Sequence, residues 1–244
     1  MAGNWKMYKT ASDTRAYFEK FLPLVKQVEG REVVLCPPFP NLEAAVAEAR
    51  GSVVKIGAQN LYWGKEGAVT GEVSGPMIHA IGCTHVIIAH SERREYFNES
   101  EQDVTRKTRA ALDAKLTPIV CVGERLAERE SGQTQAILVE QFRGGIGPLD
   151  AEEFDKLVIA YEPVWAIGTG KTATPEIAEE AHRMIRDEVR TRFGEERAAN
   201  VRILYGGSVK PDNVKSLMAK EEIDGVLVGG ASLDPHSFAA IVNY

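Results

Sequence analysis

The residues best placed to do chemistry lie between Ala160 and Lys171, in the segment Ala-Tyr-Glu-Pro-Val-Trp-Ala-Ile-Gly-Thr-Gly-Lys. An apolar run, residues 157–161, reads as a buried strand, and Glu162 follows it at once. A carboxylate there stands at the carboxyl end of a strand, where α/β sheets and barrels keep their reactive groups. In that position it could take up and return a proton. Pro163 fixes the backbone just after it. Val164, Trp165, Ala166 and Ile167 make an apolar tip, followed by the glycine-rich Gly168, Thr169, Gly170 and Lys171. Stiff at one end and glycine-rich at the other, residues 163–171 have the composition of a lid that closes over a site and excludes water. An ordinary loop carrying an exposed Glu fits the same residues about equally well.

Other groups could join Glu162. His90 ends another apolar run, residues 85–89, although a lone histidine there is more often a hydrogen-bonded core residue. Asn4 and Lys6 stand two apart, so on an extended segment they would point the same way. Lys6 by itself reads as a solvated surface lysine. Two glycine-rich turns, Gly206-Gly207-Ser208 and Gly229-Gly230, each follow an apolar run. Such turns let backbone N–H groups approach an anion with no Cβ in the way. Either alone could be a simple tight turn; two at successive strand ends are harder to dismiss.

These groups need elements to carry them. Apolar runs predict strands over 32–36, 53–58, 85–89, 119–122, 157–161, 202–205 and 225–228, and a stub at 2–5 makes eight. Helical patterns over 12–22, 41–50, 74–81, 101–114, 134–142, 175–193, 212–218 and 235–243 alternate with them, and a short helix is expected right after His90. Ser100 with Asp103, and Thr174 before Pro175, mark helix starts. Pro23 should end or kink the first helix. Strands alternating with helices imply βα units around a parallel sheet. No linker or shift of composition divides the chain, so residues 1–244 read as a single domain.

At 244 residues, 44% apolar and 26% charged, the composition is that of an ordinary globular chain. The net charge of -6 weighs against nucleic acid or an anionic membrane as partner, since both reward a basic surface. It also means that an anionic ligand must be drawn in by a local patch, to which Lys6 could contribute. No apolar stretch approaches the roughly 20 residues that span a bilayer, and the first residues lack the pattern of a signal peptide. Cys36, Cys83 and Cys121 are odd in number and scattered, which suggests neither a disulfide framework nor a zinc pattern. A cytoplasmic location is the expectation. His79, His85, His90, His182 and His236 show no clustered ligand pattern, so no metal is expected.

Beyond 160–171, the chain carries Gly3-Asn4-Trp5-Lys6-Met7, Gly57-Ala58-Gln59-Asn60, Ala89-His90-Ser91-Glu92-Arg93-Arg94, Cys121-Val122-Gly123-Glu124, Tyr205-Gly206-Gly207-Ser208-Val209 and Val228-Gly229-Gly230-Ala231-Ser232-Leu233. In this order and at these intervals, the segments resemble the triosephosphate isomerase family over essentially the whole chain. The resemblance implies an α/β fold, a (βα)8 TIM barrel. It implies an isomerase that interconverts dihydroxyacetone phosphate and D-glyceraldehyde 3-phosphate through an enediolate, in glycolysis and gluconeogenesis, with no cofactor and no metal. By the same resemblance Glu162 is the base and His90 the electrophile, its neutral imidazole being a known property of the family. Asn4 and Lys6 contact the substrate, Glu92 supports Lys6 by an ion pair, and Gly168, Ser208, Gly229 and Gly230 take the phosphate. Residues 163–171 then form the family's closing loop.

The resemblance further implies a homodimer through the long loop at 64–75, which contains Thr70. Val69, where the family often has an aromatic residue, and Tyr8, where Asn is common, are departures at that contact. A third departure is at the start: members usually carry several apolar residues ahead of Ala-Gly-Asn-Trp-Lys. The first strand is therefore expected to be shortened: the favoured reading is a misplaced or trimmed start, the alternative a barrel that closes with a very short first strand, and a chain that begins here would leave strand-pairing groups of both neighbours without partners. Other readings fit less well. A Schiff-base aldolase needs a strand-end lysine where Glu162 stands, a metal-dependent epimerase needs clustered ligands, and a non-catalytic barrel would have lost Glu162 or His90.

Overall fold

Each apolar run predicted as a strand forms one, and nearly every strand residue is buried, as expected when parallel strands are covered on both faces. The computed structural model describes residues 1–167 and 172–244. Its strands are β1 (Ala2–Asn4), β2 (Val33–Cys36), β3 (Val54–Ala58), β4 (His85–Ile88), β5 (Thr117–Val122), β6 (Val158–Tyr161), β7 (Ile203–Tyr205) and β8 (Gly225–Val228). They pair in chain order, all parallel, into a closed barrel.

Because side chains alternate along a strand, the strands feed two cores. Val34 and Cys36, Ile119 and Cys121, and Val158 and Ala160 fill the barrel interior with Ala2, Ile87, Leu204 and Leu227. The intervening residues, such as Leu35, Val86, Val120 and Ile159, join the larger cluster between strands and helices.

The first strand is short, as expected, but it leaves no gap. Ala2, Gly3 and Asn4 lie in register with Val34, Leu35 and Cys36 of β2, and Ala2 and Gly3 with Leu227 and Val228 of β8. The expectation that neighbouring strands would lack partners is therefore corrected. Both neighbours are themselves only 4 residues long, so a 3-residue strand reaches Val34, Leu35 and Cys36 of β2 and the last two residues of β8, at the end nearest the site.

The helices start where their caps predicted. Ser100 and Asp103 form a reciprocal capping box at Glu101–Asp113, and the Thr174 hydroxyl accepts from the Ile177 amide at the head of Pro175–Phe193. Pro23 neither ends its helix nor falls outside it: Ala11–Val25 runs on through it. Pro23 cannot donate the usual bond to the Glu19 carbonyl, but Glu19 is exposed to water, which can take the place of the missing donor, while Phe21 and Val25 stay buried on either side. Among the described residues no helix is long and apolar enough to cross a membrane.

Candidate active site

The carboxyl ends of the strands bring together residues far apart in sequence. Glu162 leaves β6 with its amide donating to Val122 O on β5 at 2.8 Å. Two glycines on the flanking strand ends shape its seat. A Cβ at Gly123 would lie 1.7 Å from the Glu162 carbonyl oxygen, and one at Gly206 would lie 2.9 Å from its Cγ. Only glycine permits such close approach. The side chain is 2% exposed, Oε2 accepts the Ser91 amide at 2.9 Å, and Oε1 lies 2.9 Å from His90 Nε2. Burial alone would push the Glu162 pKa up. The adjoining His90 ring, the hydrogen bonds from His90 and Ser91, and the Cys121 thiol outweigh it and hold the pKa below the usual glutamate value.

His90 is the cap of the expected short helix, Ser91–Phe97. Its Nδ1 accepts the Glu92 amide at 3.3 Å, which leaves the ring proton on Nε2, facing Glu162. On the sequence, the helix amides should disfavour a charged ring. That amide contact is present, yet the His90 pKa is raised. Burial lowers it, but the charge and hydrogen bond of Glu162, with a contribution from Glu92, win over burial and over the Lys6 charge. The expectation took in the helix and could not take in a carboxylate from β6.

Lys6 does not sit on an extended segment. Its φ is 51°, a left-handed conformation that costs an L-residue about 1–2 kcal/mol. Two hydrogen bonds to its backbone hold it there, one of them from a side chain itself anchored on β2. Asn4 Oδ1 accepts the Lys6 amide at 2.9 Å, and Gln59 Nε2 donates to the Lys6 carbonyl at 2.9 Å and to Cys36 O at 2.8 Å. The Lys6 ammonium meets Glu92 Oε1 at 2.5 Å. Asn4 and Lys6 still reach the same cavity, through a turn instead of an extended spacing.

That cavity, about 490 Å³, is lined by Asn4, Lys6, His90 and Glu162 together with Ser208, Gly229 and Gly230. A Cβ on Gly230 would meet nothing within 4 Å, so the turn after β8 opens onto free space. After Glu162 the chain forms a short 3-10 turn, Val164–Ala166, and the Trp165 indole donates to Glu124 Oε1 at 2.9 Å. Glu124 is fully buried and also accepts the Tyr161 hydroxyl. Ile167 lines the cavity. Gly168, Thr169, Gly170 and Lys171 lie outside the described residues.

Gln59, Gly123, Gly206 and Glu124 have clear positional duties that the sequence did not assign to them. All four belong to the segments quoted above, but their duties depend on contacts between strands. Cys36, Cys83 and Cys121 are buried free thiols. Among the described residues no group of His, Cys, Asp or Glu is arranged to hold a metal ion.

A closed (βα)8 barrel that converges a carboxylate, an imidazole and an ammonium at its strand ends defines a barrel enzyme of the acid–base kind. The profile of the triosephosphate isomerase family matches residues 1–244, and the chain belongs to that family. It is 65% identical over 244 residues to a triosephosphate isomerase of Solibacter usitatus, covering 100% of this chain and 98% of that one. A triosephosphate isomerase of Geotalea uraniireducens is 51% identical over 244 residues, with 100% and 97% covered. The crystal structure of triosephosphate isomerase from Bartonella henselae superposes with a TM-score of 0.89 at 36% identity, covering 100% of this chain and 97% of that one.

Proposed function

We propose that the chain interconverts dihydroxyacetone phosphate and D-glyceraldehyde 3-phosphate, with Glu162 as base and His90 and Lys6 as electrophiles. The observation that carries the reading is the 2.9 Å contact between Glu162 Oε1 and His90 Nε2 on the wall of the cavity. Substrate enters between the two. Glu162 takes a proton from the carbon beside the carbonyl and returns it to the neighbouring carbon. His90 Nε2–H and the Lys6 ammonium donate to the oxygens where enediolate charge develops. Once substrate separates the pair, the upward pull of Glu162 on the His90 pKa weakens, and burial with the Glu92 amide favours the neutral ring. Proton transfer and hydrogen bonding suffice for this chemistry, so no cofactor or metal is proposed.

Asn4, Ser208, Gly229 and Gly230 take up the rest of the substrate, its phosphate lying toward the glycine turns. Residues 163–167 form the apolar edge of the site. The chain acts as one domain over 1–244, and its place is in glycolysis and gluconeogenesis in the cytoplasm. It pairs with a second copy through the loop at 64–75 that contains Thr70. The exposed Met7, Tyr8, Tyr96 and Phe97 support that reading, because large apolar side chains left to water favour a covering partner.

A coupled assay of triose phosphate interconversion, run with and without a chelator, tests the chemistry. The expected result is turnover that the chelator leaves unchanged. No turnover, or its loss on chelation, overturns the reading. Sedimentation at micromolar concentration tests the pairing: a fully active monomer would overturn it.

A further inference from the structure

A triose phosphate is a dianion approaching a chain of net charge -6. The groups in the cavity wall do little to attract it. The Lys6 ammonium is 2.5 Å from Glu92 Oε1, so its field is largely cancelled at a distance. Glu162, its pKa held below the usual value, adds a negative charge that His90 only partly offsets. Among the described residues one further lysine lines the same cavity. Lys210 stands on the turn after β7, and among the described residues no carboxylate pairs with its ammonium.

The turn aims Lys210 outward from a fixed base. Val209 is buried, while Ser208 on one side is half-buried and Lys210 on the other is exposed. Asn213 clasps the segment at both ends: its Oδ1 accepts the Lys210 amide at 2.8 Å, and its Nδ2 donates to Ser208 O at 3.0 Å. Lys210 is thereby held beside Ser208 at the mouth of the cavity.

We infer that Lys210 is the charge that recruits the substrate's phosphate, a positioning residue that raises capture without touching the reacting carbons. The inference rests on the functional reading above and deepens it. An unpaired charge at the rim of a cleft acts on the approach of a charged ligand, and salt screens that action within about 8–10 Å.

The test compares Lys210→Gln, Lys210→Glu and Lys210→Arg with the wild type at low salt and at about 0.5 M KCl, where such fields are screened. The readouts are kcat, KM and inhibition by inorganic phosphate. At low salt Lys210→Gln should lower kcat/KM by about threefold or more, mostly through KM, as expected for loss of steering charge. Phosphate inhibition should weaken by a similar factor. Lys210→Glu should lose more, Lys210→Arg should retain wild-type values, and the differences should fade at high salt. Equal values for Lys210→Gln and wild type at low salt overturn the inference. So does a deficit that persists at high salt or appears in Lys210→Arg, because shape and not charge is then responsible. If the wild type itself fails to interconvert the trioses, the functional reading falls, and phosphate inhibition is replaced by direct phosphate binding, which still decides the role of Lys210.

Discussion

The two mouths of the barrel carry similar groups and hold them in opposite states. Strand β4 begins at His85 and is followed by His90, so one strand places a buried histidine at each end. Each faces a glutamate: His85 Nε2 lies 3.5 Å from Glu32 Oε1, and His90 Nε2 lies 2.9 Å from Glu162 Oε1. Burial pushes the His85 pKa down to about 4, and Glu32 fails to reverse it. At His90 burial pushes the same way, yet Glu162 wins and the pKa rises.

The difference is what else each carboxylate binds. Glu32 is already engaged by Lys55 and Arg202, and despite partial burial these cations bring its own pKa down to about 2. Those same cations oppose a proton on His85. Among the described residues Glu162 has no lysine or arginine on it, only neutral donors and His90. A carboxylate held by two cations is a structural tie. One held by N–H groups and an imidazole keeps a lone pair that can be redirected to a substrate carbon.

Breaking the reactive mouth should have the largest effect. Glu162→Gln keeps the shape and removes the proposed base, so kcat should fall by about 10²–10⁴-fold, while Glu32→Gln at the other mouth should leave kcat near wild type. Steady-state kinetics on both variants checks this; near-normal kcat in Glu162→Gln would end the assignment. His90→Gln comes next, with kcat lower by about 10²–10³-fold, the scale for losing a donor to a developing oxyanion. It should also shift the acid limb of kcat/KM to higher pH, because the strongest influence keeping the Glu162 pKa low is gone and burial then raises it. An unmoved limb would show that Ser91 and Cys121 suffice.

Glu32→Gln should sharpen the comparison through stability. The Glu32 pKa is lower in the folded chain, so its contribution is full above the unfolded pKa, near 4.5, and is lost as pH falls toward about 2. Thermal melts should find the variant lower by about 3–8 °C at pH 7, with a gap that narrows below pH 4.5. A constant gap would mean that packing and not charge carries the effect.

The smallest effect is a pair of opposite slopes. His85 is harder to protonate in the folded chain, so stability falls as pH drops from its unfolded value near 6.5 toward about 4. His90 is easier to protonate when folded, so its contribution is present below 6.5 and lost as pH rises through its folded pKa. His85→Gln should remove the first slope and His90→Gln the second, read from denaturant midpoints across pH. Slopes of the same sign at both positions would contradict the contrast between the mouths.

Much of this was legible in the sequence. Apolar runs located the strands to within a residue or two, and Glu162 and His90 were marked by following such runs. The glycine turns after β7 and β8 were visible for the same reason. Local chemistry also placed the helix caps, since Ser100 and Thr174 act on amides three residues away. The duties of Gln59, Gly123 and Glu124 were not legible, although the residues were. Gln59 steadies Lys6 across β2, Gly123 makes room for a carbonyl from the next strand, and Glu124 receives Trp165 from the next loop.

The sequence by itself therefore determined the period of the elements, their order, and which polar residues end up at strand ends, because each of these follows from interactions between near neighbours. The pairing of strands decided the rest. It set Lys6 in a left-handed turn, it closed β1 onto both neighbours, and it gave His85 and His90 opposite pKa shifts from the same residue type. Charge–charge energy depends on distance and burial, and here both are fixed only when strands distant in sequence close into one barrel.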